Sequence, residues 1–199
     1  MAYLRLKLLK EGLVLTAVSV LRPRARDWAD DEPPSLGVAF IAVALWGMGY
    51  SALYLILSLA GHQPSMVRGI PVDPSIYYGC AAAYALPLCF CLAWLVGSTA
   101  DAASGRRRGW RFGFRAFSGG YAGPMLWCFI VPDLVTYAVA GFDALSLVMR
   151  VTGPLAVSLI LVRTYVVSRS IYDVRPLRCV LMTAAAALAQ LVPAALLLR

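Results

Sequence analysis

Two ionisable residues, Asp133 and Arg150, stand inside long apolar stretches. A charge placed there is expensive and by default suggests function. Asp133 lies about two helical turns before the end of one stretch, and Arg150 about two turns after the start of the next. The short turn Gly141-Phe142-Asp143 joins the two stretches, so a helical hairpin would put both charges at similar depth. The expectation is that they face each other or share a polar cavity, because pairing neutralises two otherwise isolated charges. The chemistry open to them is a proton or ion relay, with Gln190 as a further polar group. The plainer reading is a pair that fixes the hairpin, and it is favoured because a relay needs several linked groups. Asp101 and Arg163, near the ends of two other stretches, are expected to pair for structure alone.

Other chemistry finds little support. Hydrolytic catalysis needs a nucleophile beside a base, and the one histidine, His62, stands alone in a loop. No G-x-S-x-G, H-E-x-x-H or paired intramembrane aspartates occur. Gly119-Gly120 lacks the lysine of a phosphate loop. The cysteines Cys80, Cys89, Cys91, Cys128 and Cys179 form no C-x-x-C pair and lie in apolar sequence, where free cysteine packs as a small hydrophobe. No enzyme, metal or cofactor is expected.

Surface chemistry is richer. The segment Ser104–Arg115 carries Arg106, Arg107, Arg108, Arg111 and Arg115 interleaved with Trp110, Phe112 and Phe114. Arginine with aromatics could stack on RNA bases. Between two apolar stretches, however, it reads as an interfacial loop that grips anionic lipid headgroups or a protein partner. Ala44, Gly47 and Ser51 fall on one helical stripe, and small residues of this kind let a neighbouring helix approach closely in lipid.

The elements that must position these residues are five apolar stretches: Leu36–Leu59, Ile76–Ala100, Gly119–Ala140, Ala144–Val167 and Cys179–Leu198. About 20 apolar residues suffice to cross a bilayer core as a helix. The chain is 61% hydrophobic and 14% charged, where soluble domains carry about 25% charged residues. The fold class is therefore an all-α membrane bundle of five transmembrane helices, residues 36–199, behind an N-terminal arm, residues 1–35. In that arm the apolar run Gly12–Leu21 is too short to span. It ends in Arg22-Pro23-Arg24-Ala25-Arg26 without a small-x-small cleavage pattern, so it is expected to stay in the protein. Ala2–Leu21 reads as a moderately amphipathic helix, either lying in the headgroup region or packed on the cytoplasmic side of the bundle. Ser35 is placed to cap the first span, with Pro34 before it.

The formal charge of +8 reads as membrane electrostatics rather than nucleic-acid binding. If all five stretches cross, fifteen basic residues lie on one side and three, Arg68, Arg150 and Arg199, on the other. That asymmetry places the N-terminus in the cytoplasm and the C-terminus outside. Arginine- and alanine-heavy usage with little lysine points to a bacterial inner membrane.

The order of features resembles the Yip family of five-span membrane proteins, especially its bacterial members. The resemblance rests on Leu21-Arg22-Pro23 with Trp28, the acidic-proline segment that follows, and Gly109–Phe117 leading to Tyr121-Ala122-Gly123-Pro124. It implies a non-enzymatic protein that acts as scaffold, membrane organiser or accessory subunit through lipids, a membrane-protein partner or its own copies. It transfers no catalytic residue. The alternative is a small transporter or ion-translocating component that uses Asp133 and Arg150.

Overall fold

A computed structural model describes residues 2–21, 33–62, 73–105 and 108–197, and no strand occurs among them. The elements are α1 (Ala2–Leu21), α2 (Leu36–Leu59), α3 (Pro74–Ser104), α4 (Trp110–Met125), a π turn (Leu126–Ile130), α5 (Val131–Ala140), α6 (Leu145–Tyr172) and α7 (Pro176–Leu197). Among the described residues four helical stretches are long and apolar enough to cross a membrane: Leu36–Leu59, Ile76–Ser104, Trp110–Ala140 and Leu145–Tyr172. The fifth expected span folds as α7, whose described apolar part is Pro176–Ala185. The structure supports an all-α membrane protein with four such helices.

Inside, the bundle is an aliphatic and aromatic core with a few buried polar groups, and its outer surface is also largely apolar. On α2, Ala39, Ala42, Val43, Trp46, Tyr50, Leu53, Tyr54 and Leu57 are buried at spacings of three and four, the mark of one helix face. Leu147, Val151 and Leu155 of α6 are exposed large hydrophobics, as a lipid-facing surface requires. Apolar side chains gain nothing by leaving lipid, so close packing and hydrogen bonds must hold the helices together.

The sequence-marked seam does this between α2 and α3. A Cβ on Gly47 would stand 2.7 Å from Leu86 Cδ1 and 2.9 Å from Leu86 Cα. One turn on, Ser51 Oγ donates to the Ala82 carbonyl at 2.8 Å. Ala44 lies on the same helix, half-buried. The α3–α4 crossing is closer still: a Cβ on Gly97 would meet the carbonyl carbon of Gly113 at 2.6 Å, so backbone lies on backbone.

The N-terminal helix does not lie apart from the bundle. Gly12 faces Ile41, where an added Cβ would come within 2.5 Å of Ile41 Cγ2, and Gly37 faces Leu8. A constant offset between the paired residues means that α1 runs parallel to α2. Leu15 fills the space above Gly119 of α4, and Trp127 Nε1 donates to Thr16 Oγ1 at 3.1 Å. The helix therefore packs on the bundle, alongside the first half of α2 and against α4. Trp28 and the surrounding arginines fall outside the described residues.

Ser35 caps α2 by accepting from the Val38 N–H at 3.3 Å, as its position in the sequence suggests. Gly141, with φ of 80°, closes α5 and opens the tight turn into α6, a left-handed conformation that favours glycine.

Candidate functional site

The basic end of the bundle is organised by one carboxylate. Asp101, 5% exposed near the end of α3, accepts the backbone N–H groups of Arg108 and Gly109, each at 3.1 Å. It also accepts the Tyr172 hydroxyl at 2.8 Å. The first turn of any helix leaves N–H groups unsatisfied and carries partial positive charge, so a carboxylate there stabilises it. Gly109, at φ 92°, forms the cap position of α4 without a side chain in the way. These bonds start α4 at Trp110, nine residues before the apolar pattern begins. The segment expected to be a loop is therefore largely helix from Trp110 onward. Among the described residues the hydrogen bonds of Asp101 go to the Arg108 and Gly109 amides and the Tyr172 hydroxyl and not to Arg163, the partner expected from the sequence.

The basic residues of that segment separate by role. Arg115 is half-buried; its Nε and Nη2 donate to the carbonyls of Pro34 and Pro33 at 2.6 and 2.7 Å, tying α4 to the entry of α2. It is an internal strut rather than a surface contact. The Arg108 guanidinium lies over the rings of Phe112, at 4.8 Å, and Tyr172, at 5.7 Å. Arg111 lies 5.5 Å over Trp110, which is 47% exposed. Arg108, Trp110 and Arg111 thus form an exposed cationic-aromatic platform. Arg106 and Arg107 fall outside the described residues. Arg178 Nη1 donates to the Ser104 carbonyl at 3.2 Å, and Arg169 donates to that of Val174, so two further arginines stitch the same end.

The two intramembrane charges are not brought together. Asp133 is fully buried, at 0% exposure. Arg150 is exposed on the outer side of α6, beside exposed Val151. No salt bridge joins them among the described residues. The cause lies in the helix that carries Asp133. Pro132 has no N–H to give Cys128, and its ring would crowd that carbonyl in a regular α-helix. The chain widens to a π turn just before it, where the Val131 N–H reaches the Leu126 carbonyl. One extra residue in a turn rotates everything beyond by about 100°. Asp133 is thereby aimed at the core.

Arg163, expected from the sequence to pair with Asp101 near a span end, is only 2% exposed and so is a buried cation. Its stem runs across Gly120 of α4, where a Cβ would meet Arg163 Cγ at 2.5 Å. The Gly119-Gly120 pair is thus a double notch, one glycine for Leu15 and the next for Arg163. That pair was the available signal. Thr164, Ser168 and Tyr172 continue a buried polar stripe along α6 toward Asp101.

At the opposite end, His62 stacks flat on Phe142, with ring centroids 4.2 Å apart, and its Nε2 lies 3.3 Å from the Tyr137 hydroxyl. This clasp joins the end of α2 to the α5–α6 hairpin. No cluster of three metal-ligating side chains occurs among the described residues. Cys89, Cys128 and Cys179 are buried while Cys80 and Cys91 are exposed, and all are free. The side chain of Gln190 falls outside the described residues.

No protein-family model, curated protein or solved structure matches this chain. Nothing in those comparisons identifies the Yip family.

Proposed function

We propose that the chain is a non-enzymatic, five-span inner-membrane protein of Yip type, a scaffold or accessory subunit that works through its basic end. The observation that carries this reading is the Asp101 junction. Three hydrogen bonds to one buried carboxylate fix α3, α4 and α6 together and hold Arg108, Trp110 and Arg111 outward. A rigid, exposed arginine-tryptophan surface suits anionic headgroups or an acidic partner. In this reading α7 is the fifth span, and the excess of basic residues puts the platform in the cytoplasm. The complete burial of Asp133 supports a structural interior, since water does not reach it. The test is purification in mild detergent, with wild type compared with Trp110→Ala/Arg111→Gln. The double variant should stay folded and lose what wild type retains. Equal retention would remove the platform from the account.

A second reading has one observation in its favour. Buried Asp133, Arg163, Thr164, Ser168 and Tyr172 put ionisable and hydroxyl groups inside the bundle, a pattern typical of ion pathways. Proton flux in proteoliposomes that disappears in Asp133→Asn would establish it.

A further inference from the structure

A groove of about 940 Å³ runs between α1 and the start of α2. Its charges lie toward one end: Lys7, Lys10 and Glu11 stand there beside apolar Leu6, Pro34 and Val38, while Val14, Leu15 and Val18 make the other end wholly apolar. Because α1 is parallel to α2 with Leu8 beside Gly37 and Gly12 beside Ile41, the charged end lies level with the first residues of α2. The apolar end lies near the middle of that span. From Lys7 to Val18 is about 16 Å of helix, close to one leaflet of a hydrocarbon core about 30 Å thick. The groove is therefore charged where headgroups lie and apolar where acyl chains lie.

The charged end is complementary to an anion. Lys7 is 3.9 Å from Glu11, which leaves Lys10 in excess, and Arg115 is bonded to the carbonyls of Pro33 and Pro34 at the same rim. Lysine stems can follow the apolar wall while their ammonium groups stay at headgroup level.

We propose that this groove is a binding site for one anionic phospholipid of the cytoplasmic leaflet. Its phosphate sits at Lys7 and Lys10, and an acyl chain lies along Val14, Leu15 and Val18. The proposal rests on the orientation given under the proposed function, and it adds a defined lipid site at α1.

The test is native mass spectrometry of the full chain, purified and equilibrated with phosphatidylglycerol and phosphatidylcholine in a 1:1 mixture. Wild type should retain phosphatidylglycerol preferentially. Each basic residue near an anionic surface is worth about a five-fold change in affinity, so Lys7→Gln/Lys10→Gln should weaken retention by about 25-fold. Val14→Trp should fill the groove and reduce retention of both lipids, while Leu188→Trp, on an exposed position of α7, should change nothing. The lysine variant alters exposed side chains only, so it remains decisive if Val14→Trp fails to fold. Retention unchanged in the lysine variant would overturn the proposal. So would a dimer that Val14→Trp dissolves without lipid loss, or cross-links showing residues 22–32 in the groove. Failure here leaves partner retention by Trp110 and Arg111 untouched, so the two readings fail separately.

Discussion

Tyr172 donates its hydroxyl to Asp101 at 2.8 Å, and so the last residue of α6 locks the end of α3. The same carboxylate caps α4 through the Arg108 and Gly109 amides. One buried side chain thus fixes the consecutive helices α3 and α4 to α6, whose last residue lies 71 positions beyond Asp101.

Removing one bond should therefore loosen the end, and removing the carboxylate should undo it. Tyr172→Phe is expected to cost about 1.5–3 kcal/mol, the worth of a hydrogen bond to a charged group. Asp101→Ala should cost more, since it also leaves two helix-start amides without their acceptor. Thermal unfolding in detergent checks the order; a larger loss for Tyr172→Phe would be inconsistent with the junction.

Glycine substitutions should sort by what stands opposite them. Gly97→Ala forces a methyl into the Gly113 backbone and should destabilise by about 1–3 kcal/mol, because backbone cannot step aside as a side chain can. At Gly153 of α6 nothing lies within 4 Å of the added Cβ. There Gly153→Ala should be neutral or stabilise by up to about 1 kcal/mol through helix propensity. Parallel melts of the two variants make the comparison.

Ser51→Ala removes the hydroxyl that bonds the Ala82 carbonyl. Interhelical hydrogen bonds of this kind average about 0.6 kcal/mol in membranes, so a small loss is expected. A loss above about 2 kcal/mol would mean that Ser51 does more than join α2 to α3.

Asp133 and Arg150 should behave independently. A double-mutant cycle with Asp133→Asn and Arg150→Gln is expected to give a coupling energy within about 0.5 kcal/mol of zero, as for residues without shared partners. Strong coupling would restore the hairpin pair.

The long apolar helices were legible because hydropathy over 20 residues is a local property. So were the Ser35 cap and the close approach at Gly47 and Ser51, which depend on residue type at fixed helical spacing. Asp133 shows the limit. Its position was readable, but its direction depends on the π turn before Pro132, and a regular helical wheel misplaces it by about one residue's rotation. The Asp101–Tyr172 bond joins residues 71 apart in sequence, and a single chain carries no local mark of such a pairing. Arg163 was legible as a polar residue near a span end, but its burial was not: a buried cation and an interfacial one read alike until Gly120 is known to lie against it. Arg115 misled in the opposite sense, since its bonds go to Pro33 and Pro34 and not outward.

The central claim is that the interior holds the bundle together while the basic end makes its contacts. It is tested most directly by quantifying what stays bound to wild type, Asp133→Asn and Trp110→Ala/Arg111→Gln after native purification, with folding verified for each. The account predicts retention by folded Asp133→Asn and loss by the platform variant. The reverse pattern, loss with Asp133→Asn and full retention by Trp110→Ala/Arg111→Gln, would contradict it.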